Sequence, residues 1–142
     1  MNNNMKQLNS IQQLLKAPKG QRNSFGNYNY RNAEDILEAV KPLLGRAVLT
    51  LTDDVWMVGD RYYIKATATI KEGEESVSVT AYARESEEKK GMDSAQVTGA
   101  ASSYARKYAL NGLFCIDDTK DADHDSQSKQ PVKSVNSGDL DF

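Results

Sequence analysis

The sequence predicts an α+β fold: a three-stranded antiparallel sheet packed by helices, forming a β-β-β-α core. N-terminal helices precede this core and a disordered acidic C-terminal tail follows it. Three observations predict this. Apolar residues recur at helical spacing before residue 45, at a spacing of two between 46 and 84, and at helical spacing again over 94–110. After Ile116 the composition shifts abruptly to Asp, Ser, Lys, Gln and Asn, which cannot bury enough apolar surface to order itself. With 142 residues, 39% hydrophobic and 27% charged, the chain supports one domain with a modest core. That domain is expected over 1–116, with 117–142 as the tail.

Taken in order, Leu8, Ile11, Leu14 and Leu15 are spaced for a short amphipathic helix that ends before Ala17-Pro18. Residues 19–31 are rich in Asn and Gly and read as a loop. Asn32 can cap a second helix with Glu34 and Asp35 in its first turn. Its buried face is Ile36, Val40, Leu43 and Leu44; Pro42 distorts the last turn and Gly45 stops it. Residues 47–52 and 55–58 read as a first ribbon interrupted at Asp53-Asp54. Gly59-Asp60 is a two-residue hairpin turn, and Gly73 lies in the next turn. The inward faces are Tyr62, Ile64, Ala66, Ala68 and Ile70 on the second strand, and Val77, Val79, Ala81 and Ala83 on the third.

The 94–110 stretch has no acid, no proline and one glycine, so it can run about four helical turns. Asp93 or Ser94 caps it and Asn111-Gly112 offers a left-handed stop. Val97, Ala101, Tyr104 and Tyr108 would form its buried stripe. Gly99, Ala100, Ser102 and Ser103 let it approach the alanine-lined sheet, or another subunit, closely. Arg106 and Lys107 near its C-terminal end suit the helix dipole and read equally as solvated cations.

Charge is distributed unevenly. Residues 1–31 carry +5 with no acid, residues 1–116 carry +2, and residues 117–142 carry −4. A basic front on a folded body points to nucleic-acid contact. Phe25, Tyr28 and Tyr30 interleave with Lys19, Arg22 and Arg31. Charges that follow phosphates, with rings that stack on any base, make a non-specific single-strand site; rings tucked into the core are the alternative. The outward sheet faces carry Tyr63, Lys65, Thr67 and Thr69, then Ser78, Thr80, Tyr82 and Arg84. They read either as a stacking surface or as an ordinary solvated face.

Other chemistry lacks support in the sequence. No apolar run approaches the length of a membrane span, the N-terminal residues lack the apolar h-region of a secretory signal, and a cytoplasmic location is expected. No phosphate-cradling P-loop occurs. Asp121, Asp123 and Asp125 begin like a calcium loop, but Ser126 stands where glycine is needed and Val132 where glutamate is needed. Cys115 reads as a small core residue, and His124 as a solvated one. The Glu85–Lys90 run reads as a solvated loop. No enzyme, catalytic residue, metal or cofactor is indicated. A nuclease site built from Asp53, Asp54 and Asp60 has no supporting spacing.

Two blocks carry a resemblance. Tyr28-x-Tyr30 followed by residues 35–44, and Gln96-x-x-Gly99 followed by Ser-Tyr-Ala-Arg-Lys-Tyr-Ala-Leu over 103–110, resemble the Erf (essential recombination function) family of phage single-strand DNA annealing proteins. The match covers roughly 8–120. The family commonly has two arginines in the second block; the second is Lys107 here, which keeps the charge without the planar fork. The resemblance implies ATP-independent binding and annealing of complementary strands by rings or filaments. It also implies a distant relation to eukaryotic strand-annealing mediators with a β-β-β-α core. Asp139, Leu140, Asp141 and Phe142 look like the acidic tip of bacterial single-strand-binding proteins.

The expectation is therefore a homo-oligomer that binds and anneals single-stranded DNA in the host bacterial cytoplasm during phage recombination. Lys16, Lys19, Arg22, Arg31, Lys65 and Arg84 are expected to contact phosphates. Arg106 and Lys107 would contact phosphates or a neighbouring subunit. Tyr28, Tyr30, Tyr63 and Tyr82 would stack on bases. Residues 139–142 would dock on a host or phage recombination or single-strand-binding protein. The rival expectation is a passive single-strand-binding module that protects DNA and recruits partners through that tip.

Overall fold

The computed structural model describes residues 5–86 and 93–116. The tail, with the calcium-like stretch, His124 and the 139–142 tip, lies outside the described residues, as do residues 87–90 of the charged run. Elements follow in the order α1 (Lys6–Leu14), β1 (Gln21–Asn23), β2 (Tyr28–Tyr30), α2 (Ala33–Val40), β3 (Val48–Val58), β4 (Arg61–Glu72), β5 (Glu75–Arg84) and α3 (Ser94–Phe114). A 3₁₀ turn at Lys41–Leu43 extends α2 where Pro42 distorts the α-helical path. β3, β4 and β5 form an antiparallel meander in that order, and β1 and β2 form a separate small hairpin. This is the expected α+β architecture.

One face of the meander carries the helices. Ile64, Ala66, Ala68 and Ile70 of β4 are buried there, with Leu49, Leu51, Val77, Val79, Ala81 and Ala83 partly buried around them. The alanines leave room for α3, which presses down with Ala101, Ala105, Ala109, Leu110 and Leu113. At Gly112 a Cβ would lie 2.9 Å from Val79 Cγ1, so that position needs glycine for close approach. Ile36 and Val40 of α2, with Leu8 and Ile11 of α1, complete the core.

Helix ends are set by side chains. Asn32 and Asp35 form a reciprocal capping box on α2, and Asp93 and Gln96 form another on α3. α1 has no cap of its own. Instead Glu72, at the end of β4 and only 5% exposed, accepts hydrogen bonds from the backbone N–H groups of Gln7 (3.0 Å) and Leu8 (2.7 Å). A buried carboxylate at a helix N-terminus satisfies orphan donors and complements the dipole, so the sheet itself holds α1 in place.

Several expectations change. β3 runs unbroken through Asp53 and Asp54, which pair with Ala66 and Lys65, because turn-prone residues yield to a ladder already paired on one side. Residues 21–30 form a hairpin, not a plain loop. α3 continues past Asn111-Gly112 to Phe114 and ends on Cys115 in the left-handed region, φ 55°; burial of Leu113 and Phe114 outweighs the local stop signal. Cys115 is exposed, not a core residue. Tyr104 and Tyr108 are exposed, and Ala105 and Ala109 take the buried places. The larger rings do not fit above Ala66 and Ala68, so the helix turns its small side inward.

Candidate nucleic-acid interface

Among the described residues, no element packs on the other face of the meander. Antiparallel pairing places directly opposed residues on one face, so the register sets Trp56, Tyr63 and Arg84 in one row, and Asp54, Lys65 and Tyr82 in the next. Thr52, Thr67 and Thr80 form a third row, and Thr50, Thr69 and Ser78 a fourth. Thr69 Oγ1 and Ser78 Oγ are 2.7 Å apart, a hydrogen-bonded cross-strand pair. At the Arg84 end the face is aromatic and cationic. Trp56 and Tyr82 meet edge to face with centroids 6.3 Å apart. Lys65 Nζ lies 5.1 Å from the centre of the Trp56 ring, within cation–π range. Trp56 is 48% exposed and Tyr82 similarly so; Tyr63 and Lys65 are half-buried and Arg84 is exposed. The face thus offers rings with free edges and faces beside two cations. Asp54 is the acid on this surface, one register place from Trp56 and opposite Lys65.

The N-terminal cations occupy a second region. A cleft of about 480 Å³ is lined by Leu15, Lys16, Pro18, Arg31, Phe114 and Ile116 among others. Lys16 is exposed and Lys19 half-buried. Arg22 is exposed and donates to Asn29 Oδ1 (3.0 Å) and to Asn27 Oδ1. Arg31 is 7% exposed, and its Nε donates to the carbonyl of Ala17 at 2.8 Å. Tyr28 and Tyr30 are half-buried and pack edge to face at 6.1 Å. On α3, Arg106 Nε donates to both oxygens of Asp53 (3.1 and 3.3 Å), and Ser102 Oγ donates to the same carboxylate at 2.5 Å. Lys107 is 8% exposed, with Nζ 6.0 Å from the centre of the Tyr108 ring. The block of residues that reads as most family-specific therefore spends its two cations on contacts within the chain.

The ERF superfamily model matches residues 5–137, which takes in all these elements. The chain belongs to the Erf family. It is 60% identical over 134 residues to the essential recombination function protein of Salmonella phage P22, an alignment covering 92% of this chain. The chain spans 65% of that relative's length. No solved structure matches it.

Within this Erf-family fold the expected site residues do not form one patch. Tyr63, Lys65, Tyr82 and Arg84 share the open sheet face. The N-terminal set lies instead on the hairpin and the cleft at its base. The hairpin is tied to the start of α2, where Gln21 Nε2 donates to the Asp35 carboxylate at 3.3 Å. Trp56 is the residue that sequence reasoning missed. Its signal was present: a two-residue turn at Gly59-Asp60 opposes Val58 to Arg61, and hence Trp56 to Tyr63. Breaking the first ribbon at Asp53-Asp54 hid that register. Tyr104 and Tyr108 add a further exposed pair, stacked at 6.4 Å with planes 19° apart. Among the described residues, no group of three His, Cys, Asp or Glu could hold a metal ion, and no helix is long and apolar enough to cross a membrane.

Proposed function

We propose that this chain binds and anneals single-stranded DNA without nucleotide, acting as a homo-oligomer in phage recombination in the bacterial cytoplasm. The observation that carries the reading is the Trp56–Tyr63–Lys65–Tyr82–Arg84 cluster on an open sheet face. Rings stack on bases of any identity while cations follow the phosphates. A base stacked by its face keeps its pairing edge free, so a strand held this way remains ready to meet its complement. Pairing is then downhill and needs no energy source. Family membership and the P22 relative's name support the recombination setting.

The need for several copies follows from size. Three strands at about 4.8 Å spacing give a face roughly 10 Å wide, enough for a few nucleotides only. Exposed apolar side chains at the β3–β4 turn, Val55, Met57, Val58 and Tyr62, support association with further copies. Titrating labelled oligo(dT) at increasing salt tests the contact. With Lys65, Arg84 and a share of the N-terminal cations engaged, affinity should fall steeply, by about 0.7 logarithmic units per contact for each tenfold rise in salt. An affinity indifferent to salt would rule out the electrostatic part of the reading.

A further inference from the structure

Among the described residues, the ring of Phe25 stands apart from every other aromatic group. It sits at the tip of the β1–β2 hairpin and is fully exposed, at 102%, while Tyr28 and Tyr30 of the same segment are half-buried. A phenylalanine stabilises a fold only when it is buried, so this ring contributes nothing to the fold where it stands. The tip that holds it there is over-determined. Asn23 Oδ1 accepts from the Gly26 N–H at 2.9 Å, and Asn23 Nδ2 donates to the Tyr28 hydroxyl at 2.9 Å. Arg22 bridges Asn29 and Asn27 across the hairpin, and Asn27 adopts the left-handed region, φ 59°. A Cβ at Gly26 would lie 2.4 Å from Cε2 of Tyr28, so glycine is what lets the Tyr28 ring fold against the tip. These contacts fix the turn and point Phe25 away from the protein.

We infer that Phe25 is a base-stacking wedge, a ring that inserts against an unpaired nucleobase of single-stranded nucleic acid. The inference rests on the reading of the chain as a single-strand binder and adds a contact on the β1–β2 hairpin, a sheet separate from the one that carries the Trp56 cluster. Charge decides the occupant. Residues 1–31 carry five cations and no acid, and residues 23–28 at the tip are uncharged. This is an apolar ring on a hairpin whose one charged side chain over residues 21–30 is the exposed Arg22, fitted to a ligand with flat apolar faces on a polyanionic backbone. The cleft of a second copy is the other candidate receptor. It is lined by Lys16 and Arg31, and the uncharged tip brings no acid to neutralise them, whereas phosphates do.

The test compares the full chain with Phe25→Ala and Phe25→Tyr in three measurements: affinity for oligo(dT), the fluorescence change of an oligonucleotide carrying one 2-aminopurine, and the size distribution of the DNA-free protein. Phe25→Ala should weaken binding about 5- to 150-fold, the 1–3 kcal/mol of one base–aromatic stack, and reduce the 2-aminopurine response. Phe25→Tyr keeps the ring and should match the parent. The melting temperature of both variants should equal that of the parent, because the ring is entirely in solvent. Parent-like binding and 2-aminopurine response by Phe25→Ala would overturn the inference while leaving the sheet-face reading intact. A changed size distribution with unchanged DNA affinity would overturn it in favour of a second copy. Failure of the parent itself to bind oligo(dT) would overturn both readings.

Discussion

Replacing Trp56 with alanine isolates the stacking contribution of the sheet face. The indole is half exposed, with Lys65 Nζ over the ring 5.1 Å from its centre and the Tyr82 ring perpendicular to it, centroids 6.3 Å apart. A base that stacks on it contributes about 1–3 kcal/mol, so Trp56→Ala should raise the dissociation constant for oligo(dT) about 5- to 150-fold. The folded state loses less. An aromatic pair is worth about 0.5–1.5 kcal/mol and an exposed cation–π contact about 0.5–1, and the β3 ladder is unaffected. Stability should therefore fall by at most about 2.5 kcal/mol, measured by urea denaturation. Trp56 is the single tryptophan of the chain, so its emission gives a direct second readout. Saturating oligo(dT) should quench it in the parent, and Trp56→Phe should bind within a few-fold of the parent. Unchanged indole emission at saturation, together with parent-like affinity of Trp56→Ala, would refute the stacking assignment.

Three further outcomes follow from named contacts. Glu72→Ala removes the acceptor for Gln7 and Leu8 and leaves buried donors unpaired, so urea denaturation should show a loss of about 2–4 kcal/mol; an unchanged midpoint would mean that α1 is not held by the sheet. Gly112→Ala forces a Cβ onto Val79 and should cost about 1–3 kcal/mol, with much of that loss recovered when Val79→Ala is added. Purely additive losses in that cycle would show that the two positions do not touch. Asp53→Ala releases Arg106 at a stability cost within about 1 kcal/mol, as expected of an exposed pair. If the freed guanidinium reaches a phosphate, the salt slope of oligo(dT) binding steepens by about 0.7; an identical slope would keep Arg106 out of the DNA contact.

The sheet and its core face were legible because alternation over Ile64–Ile70 and Val77–Ala83 is a strict consequence of the pleat; Tyr62, expected on the same inward face, is exposed because it lies beyond the buried part of β4, beside the Gly59-Asp60 turn. Asn32 was legible as a cap for the same kind of local reason. The errors share a different origin. Asp53-Asp54 and Asn111-Gly112 are turn signals that pairing with β4 and burial of Leu113 and Phe114 override, and no local pattern records those distant partners. Tyr104 and Tyr108 have the spacing of a buried stripe, but Ala105 and Ala109 share a helical repeat too; only the shallow alanine floor of β4 decides which side fits. For the candidate site, alternation identified four of the five cluster residues. The fifth, Trp56, needed the hairpin register, which pairs residues across a turn. The burial of Arg31 and Lys107 was not legible either, since a charged side chain reads as exposed until the neighbours that enclose it are known.

The central claim is annealing, and strand pairing between complementary labelled oligonucleotides, each precoated with protein, tests it most directly. The reaction is run without ATP, with and without EDTA. Pairing much faster than the protein-free control, and unaffected by EDTA, is the result expected of a protein that stacks extended strands with their pairing edges free. Pairing slower than the control would contradict annealing and mark a passive coating module, and products shortened only when EDTA is absent would mark a nuclease.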